Sequence, residues 1–80
     1  MKYILEVYHR GDCLEHRESQ EPFIPPDAGE RIYVEFENRN ISDEYGHWWI
    51  VRERKHLFFD HSLKMQTLML YCEPDPKNGA

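Results

Sequence analysis

Hydrophobic and polar side chains alternate along much of this chain, and the alternation is interrupted at glycines and prolines. The stretch KYILEVYH near the start puts Tyr3, Leu5 and Val7 on one face and Ile4 and Tyr8 on the other, the period of a strand. Gly11 and Asp12 end it. The next segment, DCLEHRESQE, carries Leu14 as its one strong hydrophobe and reads equally as a loop, a short helical turn or an exposed return strand. PFIPPDAGE is stiff and extended, because each proline fixes its own φ and turns its predecessor away from helix. Phe23 and Ile24 are expected to tuck into the core from it, and Gly29 offers the turn onward. RIYVEFE is the cleanest strand: Ile32, Val34 and Phe36 face one way and Tyr33, Glu35 and Glu37 the other. NRNISDEYG reads as an exposed connection ending at Gly46.

HWWIVRERKHLFFD, residues 47–60, is harder to place. As a regular strand it sets Trp48, Ile50, Arg52, Arg54, His56 and Phe58 against Trp49, Val51, Glu53, Lys55, Leu57 and Phe59. Each face is then apolar, charged and apolar again. A long, strongly bent strand whose halves serve different sheets and whose waist meets solvent accounts for that pattern. DHSLK forms a turn, and MQTLMLYCE, apolar on both faces, returns antiparallel and covered on both sides. The strands and the absence of a helical pattern predict an all-β fold, a small, strongly bent five-stranded barrel. It is one domain over residues 1–73, followed by a flexible tail over 74–80.

Two segments carry a resemblance. IPPDAGERIYV resembles the turn that opens a core strand in small Src-homology-3-like or Sm-like barrels of bacterial and phage origin. HWWIVRERKHLFFDHSLKMQTLMLYCEP resembles the long hairpin that follows it there. The likeness spans roughly residues 22–74 and implies a fold rather than a chemistry. Sm-like relatives form rings and bind RNA through an Asp-x-hydrophobe-Asn motif with a downstream Arg-Gly. In this chain Arg-Gly occurs only in HRGD, near the start.

Eighty residues hold one core and no second domain. A net charge of −5 argues against a protein whose whole surface grips nucleic acid or anionic lipid. The charge is uneven, however. Residues 1–46 hold eleven acids against five Lys or Arg, whereas residues 47–80 hold four against five. The basic character gathers at Arg52, Arg54, Lys55 and His56, which either binds phosphate or meets an acidic surface of this fold or of another subunit. Cys13 and Cys72 form neither a disulfide framework nor a zinc spacing, and as free thiols they suggest a reducing cytosol. MKYILEVYHR has too short an apolar run for a signal peptide, and no stretch approaches the ~20 apolar residues of a membrane span. The expected location is cytoplasmic.

Candidate binding residues are Trp48, Trp49, Arg52, Arg54 and His56. Adjacent strand residues point oppositely, so only one tryptophan enters the core. The other packs beneath the Pro22–Pro26 segment, anchors a partner or stacks on a base. His9, Cys13 and His16 fall short of a tetrahedral metal set, as do His56 and His61 across the turn. Asp43, Glu44, Tyr45 and His47 lie together but match no catalytic motif, so no enzyme and no cofactor is expected. The expectation is an interaction module that self-associates or binds a protein. The alternative is a barrel that binds RNA or single-stranded DNA through the basic waist.

Overall fold

A computed structural model describes residues 2–59 and 64–77. The described residues contain five strands, β1 (Lys2–His9), β2 (Asp12–Ser19), β3 (Arg31–Tyr33), β4 (Trp48–Phe59) and β5 (Met65–Pro74), and one helix, α1 (Arg39–Tyr45). The strands form a single sheet in the order β2-β1-β5-β4-β3, curled strongly into a half-barrel. The expected all-β small barrel is what the chain adopts. β1 and β2 form a hairpin, β4 and β5 a second one, and the two hairpins join where β1 runs parallel to β5. The undecided segment after Gly11 is therefore the return strand.

Arg10 and Gly11 form the two-residue turn of the first hairpin, between paired His9 and Asp12, and both have positive φ (52° and 81°). That turn matches the right-handed strand twist, and Gly11 adopts it at no steric cost. Arg10 carries a Cβ into the left-handed region, at a cost of roughly 1 kcal/mol. Arg10→Asn is expected to raise stability by about that amount, read as a higher urea midpoint at unchanged slope.

Inward-facing Val7, Val34, Phe36, Trp49, Val51, Leu68, Leu70 and Cys72 are buried together, with Leu5, Leu14, Phe23, Ile32, Ile41 and Tyr45 packed against them. Register explains the set: Leu5 stands beside Leu68 and Val7 beside Leu70 across β1 and β5. The inward alternation expected of residues 31–37 continues beyond the short β3, through buried Val34 and Phe36. Phe23 enters the core as expected; Ile24 does not, and stands 94% exposed.

Residues 38–46, expected as a plain connection, contain α1. Asn38 caps it by accepting from the Asn40 N–H at 3.1 Å, and Gly46 (φ 86°) ends it by donating to the Ser42 carbonyl at 2.8 Å. Ile41 and Tyr45, four apart, share the face turned to the core.

The bend in β4 is a bulge, and both of its arms belong to one sheet. Val51 pairs with Cys72 and Glu53 with the next residue back, Tyr71, so Arg52 is the extra residue. The fold also runs past residue 73, where the sequence suggests a tail. Pro74 closes β5, and the buried Asp75 donates its N–H to the Trp48 carbonyl at 3.0 Å. The expected turn at 60–64, with His61, lies outside the described residues except for Lys64, as do residues 78–80 of the expected tail. Among the described residues no helix is long and apolar enough to cross a membrane.

Candidate functional site

An extra residue in a strand reverses the in–out alternation of everything after it. Arg54, His56 and Phe58 consequently stand opposite Leu70, Leu68 and Gln66, on the face that begins with Trp49 and Val51. Glu53, Lys55 and Leu57 continue the outer face of Trp48 and Ile50. The expected row of Arg52, Arg54 and His56 on one face is thereby broken up. Arg52 turns outward and its Nε binds Glu73 Oε2 at 2.9 Å. Arg54 reaches the chain before β3 instead, with Nη1 3.1 Å from Asp27 Oδ1 and 3.2 Å from the Pro26 carbonyl. Lys55 places its ammonium over the Tyr71 ring, 5.1 Å from the centroid, and His56 stacks on Phe58. These exposed ion pairs are worth at most ~1 kcal/mol each. Their directions carry more weight than their strength: the two arginines diverge across the sheet and do not converge on one phosphate.

The tryptophans separate as opposite-face geometry requires. Trp49 is fully buried between His9, Phe36 and Tyr45, with ring centroids 5.5–5.6 Å away, and its indole N–H donates to the Gly46 carbonyl at 3.3 Å. Trp48 lies on the outer surface rather than under the proline segment. The Arg31 guanidinium lies 4.3 Å above its ring and Tyr33 meets it edge-on at 5.3 Å. Arg31 is held by the Asp75 carboxylate, and Tyr33 stacks on His47. The Lys77 N–H and then Arg31 hold the Asp75 carboxyl below the usual carboxylate range. The result is a surface cluster of Arg31, Tyr33, His47 and Trp48, with His47 half-buried; all four lie outside the basic waist, and sequence reading singles out Trp48 but neither Arg31 nor Tyr33.

His9, Cys13 and His16 are not brought together. His9 faces inward, with Nδ1 3.0 Å from the Cys72 carbonyl oxygen. The other two lie on the outer face around Glu6, whose carboxylate takes the Tyr8 hydroxyl at 3.2 Å and His16 Nδ1 at 3.1 Å, with Cys13 Sγ at 4.0 Å. Burial and then Glu6 push the Tyr8 phenol up to about 12 and raise the Cys13 thiol, while the bond to Glu6 raises His16. Burial alone lifts Cys72 to about 11, so both thiols stay protonated at neutral pH. Among the described residues no three metal-ligating side chains converge. Tyr45 packs inward against Trp49, while His47 turns to the Val34 carbonyl, so the Asp43–His47 group does not form one site.

The most distinctive feature is a seam. The strand order leaves β2 and β3 as edges, facing each other across the opening of the half-barrel. Val51 donates to the Glu30 carbonyl and Val34 to the His47 carbonyl, which turns the even-numbered residues toward β4 and leaves the backbone of Arg31, Tyr33 and Glu35 directed to the gap. A side chain spans that gap. Arg17 on β2 binds buried Glu15 through Nε and Nη2 (3.1 and 2.9 Å), and Nη2 also donates to the Glu35 carbonyl. Beneath the bridge lies a cavity of about 230 Å³, lined chiefly by Leu5, Val7, Phe23, Ile32, Val34 and Leu68, with Ile24 at its mouth. No protein-family model matches this chain, and no curated protein or solved structure matches it.

Proposed function

We propose that this chain is a non-enzymatic interaction module that self-associates or binds a protein partner. One observation carries the reading: among the described residues no further strand pairs with the edges of the half-barrel, which lie above an apolar cavity, while the arginines of the waist are engaged by the chain's own Glu73 and Asp27. Exposed Ile24, Tyr33, Trp48, Leu57 and Phe58 add apolar surface beyond what this core covers. Unpaired edges with apolar surface beside them are what strand addition and subunit contacts use. The free thiols Cys13 and Cys72 suit a reducing cytosol. Light scattering from concentrated protein should give a mass above the monomer's 9.8 kDa. A strict monomer that also retains no protein from its native extract sinks the reading.

A second reading draws on the Arg31–Tyr33–His47–Trp48 cluster, which presents stacked rings and a cation to solvent, as single-stranded nucleic acid requires. Trp49 is buried, so fluorescence quenching by single-stranded RNA or DNA reports on Trp48. Quenching that weakens steeply with salt would move this reading to first place.

A further inference from the structure

The cavity beneath the Arg17 bridge is built within one copy of the chain, and its walls are apolar except at one place. Glu15 and Arg17 pair across the hairpin with Val7 and Leu5, so all four share the inward face that borders it. Its size suits an aromatic ring: an apolar cavity of roughly 150 Å³ accommodates benzene, and this one holds about 230 Å³. Among the lining residues Glu15 alone is both charged and buried. Both bonds from Arg17 fall on its Oε2, and Oε1 accepts from no described residue. Every fully buried side-chain oxygen among the described residues has a partner, so Oε1 stays open to an incoming donor. Ile24, 94% exposed at the mouth, gains cover when the cavity is filled.

We propose that this cavity binds a small neutral molecule, an apolar ring carrying one hydroxyl or N–H donor, in the class of simple phenols and indoles. The ring packs among Leu5, Val7, Phe23, Ile32, Val34 and Leu68, and its donor hydrogen goes to Glu15 Oε1. Neutrality follows from the pair already present. The Arg17 guanidinium offsets the Glu15 carboxylate, so a charged ligand would set an unaccompanied charge against apolar walls. A neutral donor brings no such cost and meets an acceptor already held in place. The site goes beyond the interaction reading and does not rest on it, since one copy supplies every wall.

Phenol, with benzene and benzoate as references, titrated into the methyl-labelled full chain and followed by NMR tests it. Phenol should shift the methyl signals of Leu5, Val7, Ile32, Val34 and Leu68 and saturate with a dissociation constant of about 1 mM or lower. Benzene should bind the same methyls about tenfold more weakly, for want of the bond to a charged acceptor. Glu15→Leu with Arg17→Met, which makes the polar place apolar, should keep benzene and abolish the preference for phenol. Val34→Phe, which fills the cavity from its wall, should weaken both about tenfold or more, with the amide spectrum checking that each variant folds. A wild type whose cavity methyls show no saturable shift overturns the site, whatever the variants do. Equal affinity for phenol and benzene, or a preference that survives the loss of Glu15, overturns the assignment of Oε1 as the acceptor. Benzoate bound as tightly as phenol overturns the neutral class. Light scattering reads the oligomeric state separately, so failure of the cavity site and failure of the interaction module are distinguishable.

Discussion

Trp49→Ala should cost about 3–5 kcal/mol, as removal of a fully buried tryptophan does when the surroundings relax only in part. An 80-residue domain commands a net stability toward the lower part of the ~5–15 kcal/mol range, so this one change removes most of it. The loss has identifiable parts. The ring meets His9 of β1, Tyr45 of α1 and Phe36 of the segment between β3 and α1, and its N–H holds the Gly46 carbonyl at the junction of α1 and β4. Trp48→Ala, one residue away, should cost only about 1 kcal/mol, the worth of an exposed ring pair and a cation–π contact. Urea unfolding followed by circular dichroism compares the two. Equal losses would show that the assignment of the tryptophans to opposite faces is wrong.

The difference between neighbouring tryptophans is legible in the sequence, because strand alternation depends only on local geometry. The same local rule recovers the inward rows of β1 and of residues 31–37. It fails at Arg52 for an equally physical reason. A bulge is defined by two strands, Val51 opposite Cys72 and Glu53 opposite Tyr71, and nothing in WWIVRERKH records its partner's register. One unseen residue inverts every side chain after it, which is how a basic row on paper becomes two diverging arginines. Helix α1 escapes because seven residues are too few for a period. Its signals are the Asn38 cap, the Gly46 stop and the Ile41–Tyr45 spacing. The seam is the least legible element, since it joins β2 to β3 across the opening of the curled sheet. No pattern within either strand marks it as an edge.

Glu15 and Arg17 show what that seam demands. Glu15 lines the apolar cavity at 6% exposure, where an ionised carboxylate is costly unless a cation accompanies it. Arg17 supplies the cation through two bonds to one carboxylate oxygen, and the second N–H of Nη2 ties the opposite edge at the Glu35 carbonyl. Arg17→Met should therefore destabilise by about 3 kcal/mol. That is the lower end of the ~3–5 kcal/mol for orphaning one partner of a buried pair, because the arginine side chain is itself half exposed. Adding Glu15→Leu should recover most of the loss, since an apolar pair of similar volume suits a site walled by Leu5 and Val7 and no charge is left unaccompanied. Urea midpoints of both single variants and the double variant complete the cycle. Recovery would show that the charge at Glu15 sets the demand for Arg17. A double variant as unstable as Arg17→Met would show that the tie to Glu35, which no methionine replaces, is what holds the two edges of the half-barrel together. A single variant within ~0.5 kcal/mol of wild type would remove the pair from the structural account.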